Sequence, residues 1–174
     1  MAIVGSSYLF AQDLKWNQEI VTFKSAKPFS FEQIIVDLDK QSVQDVSGIL
    51  TLPEDFDPSI KYPLIIGVAG SLNWGTHHLK YLKMFQEMGF ATFQLQSFDS
   101  RDVKSTVGSQ TEVTTAMVVL DSYRALETLS THPNIDIDRS GITGWSLGGG
   151  VSLYSAWMPL INAINGGEFM FAAH

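Results

Sequence analysis

Gly144, Ser146 and Gly148 stand at alternate positions in the stretch GITGWSLGGG, residues 141–150. Glycine-x-serine-x-glycine suits a serine lifted out on a tight turn as a nucleophile. A serine hydroxyl attacks weakly unless a base takes its proton and a third group orients that base. The flanking residues favour such a turn. Ile142 and Thr143 read as the strand before it, and an apolar helix begins at Leu147. A side chain at position 144 or 148 would crowd the turn or hold helix and strand apart. Ser146 is then expected in a strained conformation above the end of a sheet, facing the positive end of the following helix. The Leu147 N–H is one natural donor to a developing oxyanion. A second donor is expected from the loop AGSLNWG, residues 69–75, where Gly70 lets the backbone turn and the Ser71 N–H is the candidate. The competing readings are a glycine-rich connection with an incidental serine, and a loop that donates nothing.

The chain that must position these groups has 174 residues, 45% of them apolar and 17% charged, with a net charge of −7. That is one domain's length and enough apolar residues for a core. The acidic balance argues against a nucleic-acid backbone or an anionic membrane surface as partner. There is no cysteine, which excludes disulfides, thiolate metal sites and a thiol nucleophile. No apolar run approaches the roughly 20 residues needed to cross a bilayer. The opening MAIVGSSYLFAQ lacks a basic leader, and Leu9 is a poor residue three before a cleavage point. Residues 1–18 therefore read as a flexible extension, with a secretion-signal remnant as the alternative. A cytoplasmic location is favoured, and export is the other option.

Residues 19–24 and 45–52 alternate as strands of an outer, antiparallel part of a sheet. A turn-rich linker, PEDFDPSIKYP, follows. The pattern then changes. Residues 64–68 form a continuous apolar run, as in a strand covered on both faces. Residues 77–88 read as a helix, 90–95 as a strand, 111–130 as a long helix, and 140–144 as a strand. Residues 147–157 read as a helix and 169–173 as a sixth strand. Strands alternating with helices predict an α/β fold with a mainly parallel sheet and helices on both faces.

From about residue 32 onward the chain resembles the dienelactone hydrolase family of α/β-hydrolases. The resemblance is carried by GILTLPEDFDPSIKYPLIIGVAGS, QLQSFDSRDV and THPNIDIDRSGITGWSLGGG. It implies an eight-stranded α/β-hydrolase sheet and cleavage of esters or lactones through a Ser or Cys nucleophile. Two departures stand out. Many relatives carry a His-Gly pair after the third strand, where this chain has Ala69-Gly70. The founding members use cysteine where this chain has Ser146, so the dienelactone substrate does not carry over.

In that fold the chain order is nucleophile, acid, histidine. After Ser146 the chain offers one carboxylate, Glu168, and one histidine, His174. On a single strand they would lie about 20 Å apart at roughly 3.3 Å per residue, too far to touch. His132 belongs at the opposite end of the strands. His77 and His78 open a helix on the correct side, where a solvated helix start is the more common role. The reading is a hydrolase domain spanning residues 1–174 that is incomplete after about the sixth strand, with its acid and histidine supplied from beyond His174. The isolated chain is expected to be inactive, and its open sixth strand to favour self-association.

Two residues are candidates for substrate contact: Trp145 beside the serine, and Arg101 in SFDSRDV after the fourth strand. Arg101 could bind a carboxylate or pair with Asp99 or Asp102. No cofactor or metal is expected. GSLNWGTH has Thr76 where a phosphate loop needs lysine. DIDRSG opens like a calcium loop but reaches Leu147 where a glutamate is required, so Asp138-Arg139 reads as a helix-to-strand turn. The reading is thus a serine hydrolase acting on a small ester or lactone through an acyl-enzyme. The other class is a non-catalytic binding module or inactive fragment of the same fold.

Overall fold

The computed structural model describes residues 14–174. The expectations for the opening twelve residues fall outside the described part. Residues 14–18, expected to be flexible, are tied down. The Asn17 backbone carbonyl takes the Leu52 N–H at 3.0 Å, its side chain donates to the Leu52 carbonyl, and Gln18 already begins the sheet.

Five strands form one sheet in the order β1-β2-β4-β3-β5. They are β1 (Gln18–Ala26), β2 (Val43–Thr51), β3 (Tyr62–Val68), β4 (Ala91–Leu95) and β5 (Ile135–Gly144). The outer part is antiparallel, β1 with β2 and β2 with β4. The inner part is parallel, β4 with β3 and β3 with β5. The parallel strands are the continuously apolar ones, because both of their faces are covered.

The helices are α1 (Phe31–Asp37), α2 (Thr76–Glu87), α3 (Thr115–Leu129), α4 (Leu147–Tyr154) and α5 (Met158–Asn165). Register assigns the faces. Phe23, Val46, Leu50, Phe93 and Ile66 share one face. The long α3 covers it, and eleven of its fifteen residues are buried. Thr92 and Gly67 point the other way, where Gln86 of α2 donates to Thr92. A Cβ on Gly67 would come within 2.8 Å of Leu82, so the missing side chain lets α2 lie close.

Sequence and structure part company at four places. Helix α1, unforeseen, sits between β1 and β2. Ser30 accepts from the Gln33 N–H as N-cap, while the Gln33 side chain takes the N–H of the preceding Phe29. The helix expected over 147–157 stops at Tyr154, and α5 follows with proline in its first turn and Gly166 left-handed at φ 68° past its end. That is the usual asymmetry of helix ends. Strand β5 starts at Ile135, five residues earlier than expected. Asp138-Arg139 lies in an irregularity of that strand, where Pro63 pairs with Asp136 and Leu64 with Ser140. It is therefore not a helix-to-strand turn.

The fourth difference is the sixth strand expected over 169–173. Only the bridge Gly141–Ala173 forms, with the Ala172 N–H on the Ser140 carbonyl and the Ile142 N–H on the Ala173 carbonyl. Phe171 is drawn into the core against Tyr123, ring centroids 5.2 Å apart, which turns the segment away from a longer pairing. Met170 stays 52% exposed. At the other edge β1 carries the exposed Glu19 and Lys24, charges that discourage edge-to-edge pairing. The apolar 172–173 edge has no such guard. Concentration-dependent association through that edge is therefore expected of the 174-residue chain in size-exclusion chromatography with light scattering. A monodisperse monomer at all concentrations would contradict it.

Candidate functional site

The turn between β5 and α4 is built on close backbone approach. A Cβ on Gly144 would stand 2.2 Å from the Gly148 carbonyl group, and one on Gly148 would stand 2.3 Å from the Val68 carbonyl oxygen. Only glycine fits at either position. The Trp145 N–H reaches the Val68 carbonyl at 3.3 Å, and the Gly148 N–H closes on the Trp145 carbonyl at 2.9 Å. Between these fixed points Ser146 is held at φ 54° and ψ −112°. For a residue with a side chain this costs on the order of 1–3 kcal/mol, and it persists because the surroundings over-determine it.

Serine at the head of a helix normally caps it. The Ser146 side chain does not, and it is exposed. Among the described residues neither the Leu147 N–H nor the Ser71 N–H has an acceptor.

Loop 69–75 lies against this turn. A Cβ on Gly70 would come within 3.1 Å of the Trp145 carbonyl oxygen and 3.5 Å of the Ser146 Cβ. The Gly70 carbonyl takes the Asn73 N–H at 2.9 Å, and Asn73 is left-handed at φ 64°, a conformation asparagine tolerates. The Ser71 carbonyl takes the Thr106 N–H at 2.9 Å and the Ser105 hydroxyl at 3.0 Å. So the structure brings Gly70 against Trp145 and Ser146, with Ser71 and Leu147 as their chain neighbours.

Trp145 is half-buried in an aromatic cluster. Its ring stacks on His78 at 4.6 Å, with Tyr81 at 5.9 Å and Trp74 edge-on at 6.1 Å. Burial lowers the His78 pKa below 6.5, and the neighbouring His77 adds to the effect. The Gly75 N–H donates to its Nδ1, so neutral His78 carries its proton on Nε2.

Arg101 does not serve as expected. Its guanidinium makes two bonds to Asp121, Nη1 to Oδ2 at 2.7 Å and Nη2 to Oδ1 at 3.0 Å. It also donates to the carbonyls of Ser97 and Ala26. The Arg101 side chain is 4% exposed and that of Asp121 0%, and the Ser25 hydroxyl adds a bond to Asp121. This leaves no charged face for a substrate carboxylate, and neither Asp99 nor Asp102 is the partner. Sequence reasoning overlooked Asp121. The available signal was a carboxylate inside the apolar run AMVVLDSYRAL, since a buried charge needs a partner.

The histidines are engaged elsewhere. The His132 Nε2 lies 2.9 Å from Glu19, and its Nδ1 takes the Asn134 N–H. His174 donates through Nδ1 to the Ser152 carbonyl at 3.0 Å. His77 is exposed at the helix start, and Glu168 is exposed after α5. Among the described residues no group of three or more histidines and carboxylates could hold a metal. Ser146 does not line the clefts beside β1 and β2 and between β1 and α3. One, of about 340 Å³, opens beside β1 and β2 and is lined by Ile20, Thr22, Ser47, Gln96 and Asp99.

No protein-family model matches the chain, and no curated protein matches it. Solved structures do. A dienelactone hydrolase-like promiscuous phosphotriesterase, P91, from metagenomic libraries superposes with TM-score 0.56 at 13% identity, covering 82% of this chain and 56% of that one. The α/β-hydrolase GrgF from a Penicillium species gives TM-score 0.56 at 16% identity, covering 82% and 43%. Dipeptidyl peptidase 4 from Porphyromonas gingivalis gives 0.50 at 20% identity, covering 86% of this chain and 19% of that one. The chain thus has the α/β-hydrolase fold and spans about half or less of the length of these structures. The dienelactone hydrolase-like neighbour shares this fold.

Two outcomes are expected from this geometry. Replacing Asp121 with asparagine leaves the Arg101 charge buried without its partner, a loss of about 3–5 kcal/mol. In a domain of this size that lowers the melting temperature by about 6–20 °C, measurable by calorimetry. The second concerns His78. Its folded pKa lies below the unfolded value, so its contribution to stability is present above pH 6.5 and is lost as pH falls through the lowered value. Urea midpoints measured from about pH 7 down to about pH 5 should decline more steeply for the parent chain than for His78→Asn. Parallel profiles would contradict the assignment.

Proposed function

We propose that Ser146 is the nucleophile of a carboxylic-ester or lactone hydrolase. One observation carries the reading: a serine at the head of a helix, in a strained conformation, with an exposed hydroxyl that caps nothing. The fold alone does not decide it, because hydrolase-fold proteins host several chemistries.

In this reading Ser146 Oγ attacks the substrate carbonyl carbon while a histidine takes the hydroxyl proton. The negative charge on the carbonyl oxygen is met by the N–H groups of Leu147 and Ser71, aided by the positive end of α4. Collapse of the intermediate breaks the C–O bond, and the proton passes from the histidine to the leaving alkoxide. In a lactone that alcohol stays attached to the acyl group. Water, deprotonated by the same histidine, then releases the acid and restores Ser146. Trp145 and its aromatic neighbours offer an apolar wall beside the reacting centre. In this reading the histidine and its orienting acid are supplied from outside these 174 residues, because His132 and His174 are bonded elsewhere and the one hydrogen bond of His78 is to the Gly75 N–H, not to Ser146. No cofactor enters this chemistry.

A fluorophosphonate probe should label the full-length polypeptide at Ser146, and Ser146→Ala should abolish labelling. The 174-residue chain by itself should turn over p-nitrophenyl acetate only weakly, since without the base a triad enzyme keeps roughly 10³–10⁴-fold over water. Labelling that survives Ser146→Ala, or robust turnover by the 174-residue chain, would overturn the reading. Absence of labelling in the full-length polypeptide would favour a non-catalytic module.

A further inference from the structure

An oxyanion donor works only if its direction is set before the charge develops. The direction of the Ser71 N–H depends on the Gly70–Ser71 peptide. That peptide is trans, so its N–H points opposite to its carbonyl. The Gly70 carbonyl is fixed on the Asn73 N–H at 2.9 Å. Whatever holds Asn73 therefore aims the Ser71 N–H.

Asn73 is held from outside its own loop. Its side-chain Nδ2 donates to Asp99 Oδ1 at 3.0 Å, and its Oδ1 takes the Trp74 N–H at 2.9 Å. Asp99 follows β4 and opens a short 3-10 turn, Asp99–Arg101. This turn is anchored on three sides. Phe98 is 2% exposed in the core. The Ser100 hydroxyl takes the Ser47 N–H of β2 at 3.0 Å. Arg101 is locked to Asp121 of α3. Asp99 itself is exposed. Nothing in the core needs its carboxylate, yet the carboxylate is the link from a rigid turn to Asn73.

We propose that Asp99 is a positioning residue for the oxyanion hole, acting through Asn73 on the Gly70–Ser71 peptide. This rests on the serine-hydrolase reading and extends it to the loop after β4. A hydrogen bond to a carboxylate is stronger and shorter than a neutral one, so the charge at position 99 matters as well as the acceptor. Ser105 and Thr106 hold the next carbonyl, Ser71 O, and leave the Gly70–Ser71 peptide free to tilt when Asn73 is released.

The test is steady-state ester hydrolysis by the full-length polypeptide, with melting temperatures measured alongside. Asp99→Ala should lower kcat about 10-fold, short of the 10²–10³ seen when a donor is removed outright. KM and melting temperature should stay close to those of the parent. Asp99→Asn, which keeps an acceptor, should fall between. The exchanged pair Asn73→Asp with Asp99→Asn rebuilds the bond in the opposite sense and should recover most of kcat. An unchanged kcat in Asp99→Ala, or no recovery in the exchanged pair, overturns the positioning role. If Ser146→Ala abolishes turnover in the same assay, the nucleophile assignment survives that outcome. If Ser146→Ala leaves turnover intact, the reading itself fails and this proposal with it.

Discussion

The close approach of three backbone segments, at Gly144, Gly148 and Val68, is the constraint on which the site depends. A Cβ at either glycine would lie 2.2–2.3 Å from main-chain atoms, nearer than atoms can pack. Helix α4 therefore starts hard against the end of β3, and the chain between β5 and α4 has only one way to turn. The unfavourable φ of Ser146 follows from that geometry. The cost is met by packing around it: Val68, Ile142, Leu147 and Val151 are all buried in the common core, each contributing about 1.5–3 kcal/mol on burial. A serine on a relaxed turn would be free to bond to its own helix. Here the side chain is exposed and makes no cap bond.

The second fixed point is ionic. Arg101 and Asp121 join the loop after β4 to α3, and Ser25 and Ala26 extend the network to β1. A fully desolvated pair contributes little net stability, because the desolvation cost offsets the attraction, but breaking it is expensive. Its effect is to fix geometry. Three elements far apart in sequence meet at one guanidinium, and the loop that faces loop 69–75 inherits that rigidity. The arginine expected to meet a substrate instead holds the frame.

How much of this was legible in the sequence depends on range. The Ser146 turn was readable because its determinants lie within five residues and glycine carries the message. The parallel strands were readable from their continuous apolar character. Helix α1 carried a readable signal in Ser30 and Gln33, and α5 in Pro159 and Gly166, though apolar periodicity drew attention elsewhere. That Asp121 needs a buried partner was readable from its apolar run, but not that the partner is Arg101, since nineteen intervening residues give no register between a loop and a helix face. The 169–173 segment misled for a physical reason. An apolar run can be consumed by one residue entering the core, as Phe171 does, as well as by a strand.

These ranges also divide the site into two kinds of positioning. Ser146 and the N–H groups of Leu147 and Ser71 lie on two short stretches, 68–75 and 143–150, whose backbones approach closely at Gly70, Gly144 and Gly148. A histidine base is different. It must arrive on a side chain, in a chosen tautomer, from an element with its own anchoring. Among the described residues the Ser146 hydroxyl caps nothing, and the hydrogen bonds of His78, His132 and His174 go to other groups. On the proposed reading, the backbone-defined and side-chain-defined parts of the site are held by separate portions of the fold. The strain at Ser146 is borne entirely by the first.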